Sequence, residues 1–215
     1  MKRRTAYIAV LVLLSVFLAA CGTGKNGNAS APNEALPQLE SGSLLSGIYT
    51  AEIKIKDYGT IRFDMDADKA PITVTNFVSL VNSGFYNGLT FHRIIDGFMI
   101  QGGDPAGNGT GGAEQKIKGE FKANGVENDQ SHKRGAVSMA RANDMNSASS
   151  QFFIVHQDST FLDGQYACFG YVSEGMDVVH AICKNTPVTD NNGSVRHEDQ
   201  PVIESIGIIS EEKCG

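Results

Sequence analysis

The sequence predicts a mainly β fold, a closed eight-stranded antiparallel barrel with two flanking α-helices. Three observations predict it: short segments of alternating polarity, turn signals between them, and only two stretches with helical periodicity. Closure would leave so many strands without an exposed edge. The 215 residues suit one domain with a sizeable core. A chain that is 41% hydrophobic and 20% charged has ordinary globular composition, which excludes wholesale disorder.

Before the first strand come two segments that the fold does not need. Lys2, Arg3 and Arg4 precede the uncharged run AYIAVLVLLSVFLAA, the basic-then-apolar order of a secretory signal. The run is shorter than the roughly 20 residues of a spanning helix. Leu18-Ala19-Ala20-Cys21 resembles the lipobox of bacterial lipoproteins, in which the cysteine becomes the lipidated N-terminus; a plain secretory signal followed by an incidental cysteine is the alternative. The lipid reading makes residues 1–20 a lipoprotein signal peptide and Cys21 the lipidation site. Several acyl chains would then hold the protein at the outer face of a bacterial membrane, since each buried CH₂ adds about 0.8 kcal/mol. Residues 21–46, rich in Gly, Asn, Ser and Pro, form a flexible tether. Residues 47–211 form the folded domain and 212–215 a short tail.

Within the domain, YTAEIKI and TIRFDM both alternate, and Asp57-Tyr58-Gly59 between them signals a hairpin turn. A helix follows, with Pro71 in its first turn, Ile72, Phe77, Leu80 and Val81 as a mainly apolar stripe, and Gly84 at its end. Strands are expected over 89–95, 98–101, 135–140, 152–156, 167–171 and 202–210, with a second helix over 175–182. The polar, Gly-rich stretch 104–134 reads as a long surface loop with a working role.

Charge and motif content then remove several kinds of function. Without Lys2, Arg3 and Arg4, the 18 basic residues fall to 15 against 24 acidic ones, a net charge of −9. That balance disfavours nucleic acid, whose binding relies on basic residues releasing counterions, and docking on anionic headgroups. Gly22, Gly24 and Gly27 match GxGxxG but lack the strand and helix that this fingerprint needs. The run GNGTGG at 107–112 lacks the GK[ST] of a phosphate loop, and no GxSxG is present. His92, His132, His156, His180 and His197 form no close pair with ligand spacing, and no CxxC occurs, so neither a metal nor a redox centre is expected. Beyond Cys21 three thiols remain, Cys168, Cys183 and Cys214; a Cys168–Cys183 bridge is one arrangement among several.

FHRIIDGFMIQGGD at 91–104, SMARANDMNSASSQFFIV at 138–155 and FLDGQYACFG at 161–170 together resemble the cyclophilins, barrel-shaped peptidyl-prolyl cis-trans isomerases, in order and spacing. The resemblance spans roughly residues 48–210. It implies an isomerase acting on Xaa-Pro bonds without a cofactor. It also implies Arg93, Phe98 and Gln101 as catalytic residues, with Phe98, Met99, Phe153 and Leu162 as the proline pocket. Gln101, Gln151 and the backbone around Ala140 and Arg141 would hold the substrate peptide, beside the loop residue Gly109. On a regular strand Phe98 and Met99 would point to opposite faces, so their joint role comes from the resemblance alone.

Some positions depart from the family pattern. Phe161 stands where many relatives have tryptophan, Tyr166 where many have histidine, Asp96 for a common proline and Arg141 for a common asparagine. The first two still supply aromatic walls to the substrate site, but loss of the indole N–H implies weakened cyclosporin binding. The expectation is a monomeric, extracytoplasmic, membrane-anchored isomerase of proline-containing exported polypeptides. The rival is a proline-peptide binding module or holdase chaperone with little turnover.

Overall fold

The structure, a computed structural model, describes residues 44–212. The signal segment, Cys21, most of the tether and Cys214 lie outside the described residues. Eight strands and two helices follow in the expected order. They are β1 (Ile48–Ile55), β2 (Gly59–Asp66), α1 (Pro71–Asn82), β3 (Phe91–Ile95), β4 (Met99–Gly102), β5 (Ala136–Met139), β6 (Phe152–Val155), β7 (Cys168–Glu174), α2 (Met176–Asn185) and β8 (Ile203–Glu212). Leu45 packs against the core and donates its N–H to Thr75 Oγ1 at 2.9 Å, so the packed region begins slightly before residue 47.

The strands form one antiparallel sheet in the order β3-β4-β6-β5-β7-β2-β1-β8. Register irregularities in the β1–β8, β2–β7, β3–β4 and β5–β7 pairs add local twist and help to curl it. The curl stops short of the closed barrel expected from the sequence: the sheet is an open half-barrel. The end strands β3 and β8 approach only at their starts, through the Thr90–Val202 bridge and neighbouring backbone hydrogen bonds. Beyond that point another segment occupies the outer edge of β3. Ile94 N donates to Gly193 O at 2.8 Å, and Val195 N donates to His92 O at 3.0 Å. The edge is therefore satisfied by the loop before β8, which leaves β8 to pair along its length with β1.

Alternation places Ala51, Ile53, Ile61, Phe63 and Met65 inside. Phe77 of α1 is the centre of this interior. Its ring lies 5.7 Å from Phe63, 5.0 Å from Tyr86, 5.5 Å from Phe152 and 5.4 Å from Phe169. Asp57 turns the β1–β2 hairpin at φ 64, a left-handed conformation that aspartate tolerates better than most residues.

The stretch 104–134 is more than the surface loop expected, because Ile117, Glu120, Phe121 and His132 are buried. Glu120, 2% exposed, caps α1 across the fold. Its Oε1 accepts from Ile72 N at 3.0 Å, while its Oε2 accepts from Thr73 N at 2.7 Å and Thr73 Oγ1 at 2.6 Å. The first-turn N–H groups of a helix have no partner within it, so a buried carboxylate there satisfies donors that water cannot reach. Glu120→Ala is expected to lower unfolding stability by about 2–3 kcal/mol, read from the denaturant midpoint. A loss below about 0.5 kcal/mol would show that the cap is dispensable.

Cys168 and Cys183 are both free and buried, so the bridge considered from the sequence is absent. Two histidines that show no ligand-like spacing along the sequence nevertheless meet in space. His156 Nε2 lies 3.1 Å from His180 Nδ1, because β6 and α2 bring together residues 24 positions apart.

Candidate active site

A cavity of about 810 Å³ opens beside the β3–β4 hairpin. Met99 and Gln101 face it from β4, and the period of two sends the intervening Ile100 into the core. Phe98 escapes that alternation: it lies in the turn before β4, with its N–H on Ile95 O, so it and Met99 both line the cavity. Phe153, paired with Gln101 across β4 and β6, forms the floor, while its neighbour Phe152 packs into the main core. Leu162 and Tyr166 supply the far wall, Tyr166 meeting Phe153 edge-on at 6.0 Å. Gly109, Ala140 and Arg141 complete the predicted lining.

Phe161 and Gln151 stand apart from the other predicted residues. Phe161 is 67% exposed and lies outside the cavity lining; its ring sits 5.6 Å from Phe98, forming a rim. Gln151 lines an adjoining hollow of about 180 Å³. Its Oε1 accepts from Gln101 Nε2 at 2.9 Å, and its Nε2 donates to Gly109 O at 3.1 Å and Gly111 O at 2.8 Å. Both amide hydrogens are thereby committed to the Gly-rich loop, which makes Gln151 a positioning residue for that wall.

Arg93 crosses the cavity mouth half-buried. Nε donates to Asn192 O at 2.9 Å, Nη2 to Asn192 Oδ1 at 3.0 Å, and Nη1 to Gln101 Oε1 at 3.3 Å. Of the five guanidinium hydrogens, one on Nη1 and one on Nη2 remain without a partner among the described residues. Burial lowers the Arg93 pKa, with Tyr166 and Asp190 acting in the opposite direction. A guanidinium starts so high that it stays charged at neutral pH.

Several contributors had no functional signal in the sequence. Asn192, 99 residues from Arg93, reads only as part of the turn DNNGS. Asp104 accepts from the backbone N–H groups of Ala106, Asn108 and Gly109 at 2.8, 3.1 and 2.6 Å, which fixes the loop that presents Gly109 at φ 88. Burial acts to raise the Asp104 pKa, but these donors outweigh it and hold the carboxyl below its ordinary value. His132 stacks on Phe153 at 6.0 Å and is itself held by Asp163 Oδ1 at 2.8 Å and Ser138 Oγ at 3.1 Å. His92 borders the cavity with both ring nitrogens buried and without a hydrogen-bond partner among the described residues; burial depresses its pKa, which favours the neutral imidazole. Arg141 is clamped between Phe121 and Tyr166, its guanidinium carbon 5.2 and 4.7 Å from the two ring centroids. It donates twice to Gln165 O, so this side chain builds wall rather than reaching for a ligand.

The family described as cyclophilin type peptidyl-prolyl cis-trans isomerase/CLD has a sequence model that matches residues 50–208. The chain is a cyclophilin. It is 44% identical over 128 residues to peptidyl-prolyl cis-trans isomerase B of Bacillus subtilis, covering 60% of this chain and 86% of that one. It is also 44% identical over 158 residues to peptidyl-prolyl cis-trans isomerase A of Dickeya dadantii, covering 70% and 80%. A crystal structure of a Cryptosporidium parvum cyclophilin in the presence of the dipeptide Ala-Pro aligns with TM-score 0.66 and 31% identity, covering 75% of this chain and 99% of that one. The activity of this cyclophilin is peptidyl-prolyl cis-trans isomerisation.

Proposed function

We propose that this cyclophilin acts outside the cytoplasm, tethered to a bacterial membrane through lipidated Cys21, and turns Xaa-Pro bonds in exported polypeptides as they fold. The observation that carries the catalytic part is the pairing of a fixed cation with an apolar patch of the cavity wall. Arg93, held by Asn192 and Gln101, keeps two free donors beside the apolar surface of Phe98, Met99, Phe153 and Leu162.

The chemistry asks for little else. Rotation must break the resonance between nitrogen and carbonyl, a barrier of about 18–20 kcal/mol for a peptide bond. At the midpoint the prolyl nitrogen regains a localised lone pair, which accepts a hydrogen bond that the planar amide cannot. A fixed guanidinium aimed at that nitrogen favours the twisted state over both planar ones. The proline ring fills the hollow, Gln101 orients the flanking peptide, and the other half of the amide rotates past it. No bond to the protein forms, so no nucleophile or cofactor is consumed. The neighbour crystallised with Ala-Pro supports proline-containing peptides as the ligand class.

Lipidation rests on Leu18-Ala19-Ala20-Cys21 behind a basic-then-apolar leader. A refolding reaction limited by prolyl isomerisation should accelerate in proportion to added protein, and mass spectrometry of the mature N-terminus should find an acylated Cys21. Peptide binding without acceleration would favour a holdase. An unmodified cysteine, or cleavage elsewhere, would remove the anchor and leave the isomerase standing.

A further inference from the structure

Behind the turn that carries Phe98, side chains from three elements converge. Asp96 lies in the β3–β4 turn, His156 follows β6, and His180 and Cys183 share a face of α2 at a spacing of three. Asp96, His156 and Cys183 each offer a ligand atom within 4.8 Å of the other two. His156 Nδ1 stands 3.4 Å from Asp96 Oδ1, and its Nε2 meets His180 Nδ1 at 3.1 Å. None of these groups lines the isomerase cavity, although His156 N donates to Phe98 O at 2.7 Å.

We propose that Asp96, His156 and Cys183 form a binding site for a divalent transition-metal ion of the zinc type, with His180 orienting the His156 ring. The donor set selects the class. One thiolate, one imidazole and one carboxylate suit a borderline-soft ion that accepts four ligands, whereas calcium and magnesium call for oxygen alone. Asp96 is exposed and Cys183 buried, so the fourth position would open toward solvent on the Asp96 side.

The hydrogen bonds already set the imidazole for this role. Gly97 N donates to His156 Nδ1 at 3.0 Å, which places the ring's lone pair on Nδ1 and its proton on Nε2, and that proton is given to His180 Nδ1. Metal-binding histidines commonly have their second nitrogen anchored in this manner. The ring can therefore ligate through the nitrogen nearer Asp96 with its tautomer unchanged. Three groups oppose binding. The Gly97 N–H must yield the lone pair, Lys184 Nζ holds Asp96 Oδ2 at 2.6 Å, and the Cys183 thiol, its pKa pushed up by burial to about 12, must release its proton. A cation able to polarise a thiol meets the last of these, and Asp96 Oδ1 stays available beside the lysine.

The test uses the untagged full-length protein, reduced, freed of metal by chelation and titrated with Co²⁺ as a spectroscopic stand-in. A thiolate-to-cobalt charge-transfer band and the visible bands of a four-coordinate ion should saturate at one equivalent and bleach on addition of Zn²⁺. Cys183→Ser should remove the charge-transfer band. Asp96→Asn, a change at an exposed turn that leaves the core alone, should weaken Co²⁺ binding by about ten-fold or more. Both variants should keep metal-free isomerase activity, which reports that they are folded. Absence of the band in the unaltered protein, its survival in Cys183→Ser, or undiminished affinity in Asp96→Asn would each overturn the site.

Discussion

Arg93→Ala is expected to reduce kcat/KM for a proline tetrapeptide by about 10²–10³-fold, the usual cost of deleting a donor aimed at developing charge. The unfolding midpoint should move little. The three hydrogen bonds that Arg93 makes all end on groups near the cavity mouth, Asn192 and Gln101, where water can replace it, so the stability cost is of the order of 1 kcal/mol. The split between activity and stability is what separates a catalytic donor from an arginine lying over apolar neighbours. Arg93→Lys sharpens the test, because an ammonium keeps the charge but cannot reach Asn192 O, Asn192 Oδ1 and Gln101 together as a planar fork does. Lysine should therefore recover only a small part of the rate. If either variant retained activity within about three-fold of the original, transition-state stabilisation would have to come from elsewhere.

Local signals in the chain carried most of the fold, and long-range ones were out of reach. Alternation in β1 and β2 and the turn at Asp57 involve near neighbours, so they are written directly in the sequence. The failure of the barrel to close is decided by Gly193 and Val195 taking the edge of β3, a competition between segments that no local pattern records. The same reasoning applies to the site. Arg93, Phe98 and Gln101 are recognisable through family resemblance, whereas Asn192, Glu120 and the His156–His180 contact depend on residues 99, 47 or 48, and 24 positions away. Phe98 and Met99 show a subtler gap. Alternation would part them, but one belongs to a turn and the other to a strand, and a shift of one residue in the strand boundary reverses the inference.

Phe152 and Phe153 offer the second large effect, because adjacent residues of one type serve opposite sides of β6. Phe152 meets Phe77, Tyr86 and Phe91 in the interior, with ring centroids 5.5, 5.6 and 6.0 Å away. Truncating it to alanine would leave a void walled by aromatic rings that cannot collapse into it, so Phe152→Ala should cost about 3–5 kcal/mol, enough to threaten the native state. Phe153 borders an open cavity, and water can enter the space its ring would vacate. Phe153→Ala should therefore destabilise less, by about 1–3 kcal/mol, while the proline ring loses its floor and kcat/KM drops by about ten-fold or more. Denaturant unfolding and isomerase assays on the two variants should thus rank them in opposite orders once activity is expressed per folded molecule. Equal losses of stability and of activity in both would mean that the sheet does not divide core from cavity at β6, and the assignment of Phe153 as the pocket floor would fail with it.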